Sequence, residues 1–290
     1  MKNRISKILK FALCSIFIVQ VAFAQQPKEK ALLWKVTGNG LEKPSYVFGT
    51  IHLICADKYE MSDAVLKAVE NADKIALELD MDDPAMNAKI QQLSINPGMK
   101  NIQEHIPADK VEVVDNYFKA KYGQGIAQMG VLKPFVLSSM VLLGNMSCET
   151  RQFEAEFVKL AAAQEKELIG LETVEYQIGL FDDLSTEKQI EALIEAIETP
   201  EESNKMMNEM MAAYTEKDLK QLGKIIKDNE DFEGFNDKLL VQRNKNWIPI
   251  IEKLSREQSV FYAVGAGHLT SEEGVIALLR KEGFTVEAVK

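Results

Sequence analysis

The chain has 290 residues, with 34 Lys and Arg against 44 Asp and Glu, a formal net charge of -10 at pH 7. That acidic balance excludes nucleic acid and anionic lipid as partners held by charge. With only three histidines and three cysteines, imidazole or thiol chemistry is confined to a few positions.

In chain order, residues 1–24 read as a leader. Lys2, Arg4, Lys7 and Lys10 form a basic start, Phe11 to Val21 an apolar stretch, and Ala22-Phe23-Ala24 a small-residue cleavage signal. The stretch is short for a membrane span, and Cys14 lacks the small residue expected just before a lipidated cysteine. Export is therefore expected, to the periplasm or the extracellular space. Removing the leader takes away four positive charges and moves the formal charge from -10 to about -14. No second long apolar run follows, so no transmembrane segment is expected in the mature chain.

Residues 25–30 read as an exposed tail. Residues 31–36 form a strand, Asn39-Gly40 a turn, and Ser45 to His52 the partner strand of a hairpin. Ser62 caps a helix running to about Asn71, with Val65, Leu66 and Val69 facing inward. Lys74 to Asp80 alternates as a strand, Ile75, Leu77 and Leu79 on one face and Ala76, Glu78 and Asp80 on the other. Strand, helix, strand implies a parallel pairing with a right-handed crossover.

The middle reads as helical: one helix opened by Pro84 and ended by Asn96-Pro97-Gly98, then helices over about 108–121, 134–144 and 151–165. Lys166 to Leu171 is a short strand. Thr186 with Gln189 resembles a capping box, and helical spacing continues with breaks to about Leu254. Met206, Met207, Met210 and Met211 stripe one of these helices, as core or as a pliant peptide-binding face. Ser259 to Val264 is a strand, Thr270 and Glu273 cap a helix to Lys281, and Phe284 to Val289 is the last strand. The fold class is α/β: a mixed sheet built from both chain ends, with flanking helices and a central helical insert at about 84–255, in one domain over 31–290.

One short pattern occurs twice. Gly49-Thr50-Ile51-His52 and Gly265-Ala266-Gly267-His268 both read Gly-x-x-His, and each closes a strand. Glu78 also falls near a strand's C-terminal end, where ligands gather in open α/β sheets. Two imidazoles and a carboxylate suit a divalent ion such as Mn²⁺, Zn²⁺ or Co²⁺; a lone Gly-x-x-His means little, since a strand-end histidine is usually just hydrogen-bonded. Cys55 and Cys148 remain after leader removal, an even pair that fits a disulfide, a structural pair of small apolar residues, or a thiol nucleophile three residues after His52. His105 has no such setting.

Trp34-Lys-Val, Tyr46-Val-Phe-Gly-Thr-Ile-His52 and Ala76-Leu-Glu-Leu-Asp80 resemble the N-terminal signature of the TraB/GumN family. Gly170-Leu-Glu-Thr-Val-Glu-Tyr-Gln177 resembles its central motif; Leu240-Val-Gln-Arg-Asn244, Phe261 to His268 and Gly283-Phe-Thr-Val resemble its C-terminal half. The family includes the Tiki proteins of animals, similar to metal-dependent proteases, and bacterial members associated with peptide pheromone shutdown. The resemblance implies a divalent-metal-dependent hydrolase, peptidase-like, acting on a peptide or protein. It assigns His52 and His268 to the metal and Glu78 to the metal or to general base work. Arg243 would hold a substrate carboxylate or oxyanion, or else a buried salt bridge. Glu154, Glu172, Glu175 and Asn244 are secondary positions; a helix N-terminus accounts equally for Glu172 and Glu175. Two other readings stand beside it: a non-catalytic peptide- or pheromone-sequestering protein of the same fold, and a metal-independent hydrolase using a histidine–glutamate pair.

Overall fold

The computed structural model describes residue 27, residues 29–228 and residues 235–290. The leader lies outside the described residues; of the tail, Pro27 is buried and Glu29 and Lys30 are exposed. Strand β1 (Leu33–Gly38) turns back through Gly38, Asn39 and Gly40, all with positive φ. Asn and Gly tolerate this left-handed backbone with little steric cost. The partner β2 (Ser45–Thr50) is antiparallel, with Leu33 opposite Phe48. After the two-residue β3 (Ile54–Cys55) comes α1 (Asp63–Asn71), where Ser62 accepts from the amide of Val65 at 3.4 Å. Val65 and Val69 are buried, but Leu66, expected inside, is 38% exposed because the buried stripe of α1 runs through Val65, Ala68 and Val69. Strand β4 (Lys74–Leu77) ends before Glu78 and is covered on both faces, so its alternation does not mark a solvent side.

Helices α2 (Met86–Leu93), α3 (Val111–Tyr122), α4 (Ile126–Met129) and α5 (Pro134–Asn145) follow. Strand β5 (Thr150–Arg151) pairs antiparallel with β3, and the Cys55–Cys148 disulfide, Cα atoms 5.6 Å apart, staples that pair. Next come α6 (Phe153–Ala163), β6 (Leu168–Gly170), α7 (Val174–Gly179) and α8 (Thr186–Glu198). The cap of α8 is Ser185, which accepts from the amide of Lys188, so the signal read at Thr186 belongs one residue earlier. Helices α9 (Pro200–Thr215) and α10 (Leu219–Asp228) precede a π-helical turn, Asp237–Gln242, that runs into α11 (Arg243–Glu257). Met207 and Met211 of α9 are buried, which makes the methionine stripe helix core. Strand β7 (Val260–Gly265), α12 (Val275–Lys281) and β8 (Phe284–Ala288) complete the chain. Helix α12 is not capped by Thr270: its N-cap is Gly274, and the Thr270 hydroxyl donates to the carbonyl of Gly267 instead.

The six-stranded sheet has the order β6-β4-β7-β2-β1-β8. Strands β6, β4, β7 and β2 run parallel, and β1 is antiparallel to both β2 and β8. The expected parallel relation of β2 and β4 holds, but β7 lies between them. The reason is compositional. Val260 to Val264 is apolar on both faces and wholly buried, and such a strand belongs in the interior of a parallel sheet. Register then aligns three strand ends: Thr50 faces Gly265, and Leu77 faces Ala263. The main core spans the sheet and its flanking helices; a second, smaller core under α3, α5 and α8 is built on Phe118, Leu137 and Leu193. Among the described residues, no helix is long and apolar enough to cross a membrane.

Candidate functional site

The aligned C-terminal ends of β2, β4 and β7 deliver His52, Glu78 and His268 to one edge of the sheet. Gly49 permits the approach of the two Gly-x-x-His turns, because a Cβ there would meet Leu269 Cδ1 at 2.9 Å and Ala266 Cα at 3.1 Å. The three side chains meet beside Gly265. The point where a Cβ of that residue would stand lies 3.3 Å from Glu78 Oε1, 3.5 Å from His52 Nε2 and 3.7 Å from His268 Cδ2.

Each histidine is held by its other ring nitrogen. His268 is buried, and its Nε2 lies 3.1 Å from Arg243 Nη1. An arginine N–H can only donate, so Nε2 is the acceptor and Nδ1 carries the hydrogen. That hydrogen goes to Asn244 Oδ1 at 2.7 Å, and the amide of Asn244 is fixed in turn by donation to the carbonyl of Glu273. His52 differs. Protein surrounds it on several sides, yet its side chain is 65% exposed toward a cleft. Its Nδ1 stands 3.0 Å from Glu154 Oε1, which also accepts from the Thr50 hydroxyl at 2.7 Å.

Arg243 organises the carboxylates. Its Nε donates to Glu172, Nη2 to Glu172 Oε1 at 2.7 Å and to Glu78 Oε2 at 2.5 Å, and Nη1 to the carbonyl of Leu239 and to His268. Guanidinium has five N–H donors, and these contacts use all of them. The salt-bridge reading of Arg243 therefore describes what it does in this state of the chain. Glu172 also accepts from Trp247 Nε1 at 3.0 Å and from Gln177 Nε2, and that same Gln177 nitrogen reaches Glu78 Oε2. Glu78 Oε1 accepts from the amide of Gly265 at 2.8 Å.

Protonation follows from these contacts. Burial pushes Glu78 upward, but His268, His52, Arg243 and the Gly265 amide outweigh it and bring the carboxyl down to about 2. Burial lowers His268 to about 3, with Arg243 and His52 adding to the effect against Glu78. A neutral His268 lends Glu78 no charge at physiological pH, so Arg243 and His52 carry that stabilisation. For His52, desolvation lowers the pKa, while the bond to Glu154 and the charges of Glu78 and Glu154 raise it to about 9. Burial favours the neutral form of Glu154, and His52 and Thr50 overcome it. Burial lifts Glu172 above the usual carboxylate range despite Arg243.

Of the positions singled out from sequence, Glu78, Glu172, Arg243, Asn244 and His268 stand in one hydrogen-bonded network, and His52 with Glu154 forms a separate pair that meets it beside Gly265. Glu175 belongs to neither: it faces outward in the first turn of α7, 3.5 Å from Lys89. His105 lies in a short 3-10 turn beside Glu104. Cys55, bonded to Cys148, offers no thiol nucleophile. Trp247, Gln177 and the amide of Gly265 were not given roles by the sequence reading. Trp247 had a signal, since it follows Arg243 by four residues on one helix face; its ring also packs 4.4 Å from that of His268.

The model of the TraB/PrgY/gumN family matches residues 32–288. The chain belongs to that family. The metalloprotease TIKI2 of Danio rerio is 22% identical over 318 residues, covering 90% of this chain and 61% of the relative. The chain thus spans about 61% of the length of that curated relative. No solved structure matches the chain.

The donor set fits a divalent ion in kind. His52 presents Nε2 toward Gly265, and His268 Nε2 lies 3.7 Å from Glu78 Oε1, while an acceptor holds Nδ1 of each ring, the usual arrangement behind a metal-ligating histidine. A carboxylate oxygen lies beside them. Among the described residues, no three His, Cys, Asp or Glu side chains already stand in ion-holding geometry; Arg243 occupies the lone pair of His268.

Proposed function

We propose that this chain is an exported, divalent-metal-dependent hydrolase of peptides or proteins. The observation that carries the reading is the meeting of both Gly-x-x-His histidines and Glu78 at Gly265. The likeness to a metalloprotease supports the reaction class, and the leader pattern of residues 1–24 supports export.

His52 Nε2, His268 Nε2 and Glu78 would hold the ion. When bound, such an ion supplies Lewis acidity toward the carbonyl oxygen under attack. Asn244 keeps His268 in the tautomer whose lone pair is on Nε2, the lone pair that Arg243 engages, and Glu154 holds Nδ1 of His52, whose Nε2 becomes a donor to an ion only on loss of its proton. Glu78, held near 2, takes up a proton poorly at neutral pH, which favours the ligand role over the base role. Arg243 positions Glu78 and keeps its charge, and Glu172 holds Arg243 in place.

The test pairs metal analysis of the purified protein with cleavage of a peptide library, with and without chelator. Chelation should abolish cleavage and an added divalent ion should restore it. His52→Ala and His268→Ala should each lower both ion occupancy and rate, and Glu78→Gln should lose occupancy together with rate. A Glu78→Gln protein that keeps its ion but loses about 10²–10⁴-fold in rate would make Glu78 the base instead. Unchanged activity in all three variants would remove the hydrolase reading.

A further inference from the structure

The cleft onto which His52 opens has an apolar side. It encloses about 390 Å³, within the ~300–1,000 Å³ range of small-ligand pockets. Its lining joins His52, Glu78, Glu154 and Arg243 to an apolar group made up of Met81, Phe135, Ile178, Phe181 and Leu239. These apolar residues come from separate places: the loop after β4, the start of α5, α7, the 3-10 turn Leu180–Asp183 and the π-helical turn. Phe135 and Phe181 stack at 4.5 Å between ring centroids, and Phe181 packs on the buried Phe235, so the aromatic wall is held in place from behind. Met81 at the rim is 39% exposed.

The charges in the cleft are already matched. Arg243 has spent its donors on Glu78, Glu172, His268 and a backbone carbonyl, and His52 is paired with Glu154. A charged substrate side chain entering here would be desolvated without a free partner, whereas an apolar one would exchange water for Met, Phe, Ile and Leu surface.

We infer that this wall is a specificity subsite for a large uncharged apolar side chain, of the Leu, Met or Phe class, next to the peptide bond presented to His52 and Glu78. The inference rests on the hydrolase reading for the word substrate, but the pocket itself is a matter of binding. The sheet thus brings the reacting groups, and the helical segments bring selection.

The experiment uses the chelator-treated full chain, in which Glu78 still matches Arg243, and a matched set of short peptides with Ala, Asp, Lys, Leu or Phe at one central position. Binding is read by fluorescence anisotropy and cleavage is followed separately with the untreated protein. Leu and Phe peptides should bind about tenfold or more tighter than Asp and Lys peptides, as expected for one side chain in an apolar pocket. Met81→Lys, at a rim position that tolerates polarity, should erode that preference and improve the Asp peptide; Phe135→Ala should weaken the Phe peptide, with a thermal melt confirming that each variant is folded. Equal affinity across the set, or no binding by any peptide, overturns the subsite. Cleavage without side-chain preference overturns it too while leaving the hydrolase reading intact. Selective binding without any cleavage sustains the subsite and removes the hydrolase reading.

Discussion

Arg243 is the residue on which the site's charge balance turns. With a side chain only 7% exposed, it neutralises Glu78 and Glu172, whose side chains are 9% and 5% exposed. Replacing it with Met keeps apolar volume but takes the only direct ion pair from two buried carboxylates, leaving His52 as the remaining charge near Glu78. Removing one partner of a buried pair typically costs about 3–5 kcal/mol, so Arg243→Met should lower the urea midpoint well below that of the parent. Glu172→Gln, which leaves Arg243 paired with Glu78, should cost less. His52 gives the pH dependence. Its folded pKa is raised, to about 9, above the ordinary 6.5. The stabilisation from its protonated form is therefore complete below 6.5 and fades as pH rises through about 9. In chelator-treated protein, the denaturation midpoint should fall across that window, and His52→Gln should flatten the fall. His52 is too open to solvent for the effect to be large.

At the scale of elements, the short β3–β5 pair matters beyond its length. His52 lies two residues before β3 and Glu154 three residues after β5, and the bond between Cys55 and Cys148, 93 residues apart, ties the two strands together. Cross-links of this kind contribute about 2–4 kcal/mol by restricting the unfolded chain. Replacing both cysteines by Ala should lower stability by that order, measured by urea denaturation. It should also loosen the His52–Glu154 contact, seen as a fall in the His52 pKa by NMR toward its ordinary value. The π-helical turn before α11 has a comparable local role. Arg243 opens the α-helix just after it and donates back to the carbonyl of Leu239, which aims the guanidinium at the sheet edge.

For the whole molecule, two separate cores imply uneven stability. The sheet core joins both chain ends, with β2 and β7 fully packed, whereas the core under α3, α5 and α8 is smaller. Native-state hydrogen exchange should show amides of α3, α5 and α8 opening at lower free energy than those of β2, β4 and β7. A single opening free energy for both sets would mean one cooperative unit.

Local pattern made much of this legible from sequence. Strands, helices, the hairpin turn and the strand-end histidines follow from hydrophobic period and turn chemistry, which depend on near neighbours alone. The same locality explains the misses: Leu66 sits at the edge of its helix stripe, the Thr186 cap signal had a neighbour, Ser185, that served, and Thr270 bonds back to Gly267 while its helix starts later at Gly274. Tertiary structure decided what the pattern left open. It put β7 between β4 and β2, because a strand apolar on both faces is stable only when covered on both. It also chose, among several acidic residues of one motif, Glu172 for the network and Glu175 for solvent. That choice depends on where Arg243 and Trp247 arrive from, 71 and 75 residues away, and no local period encodes it.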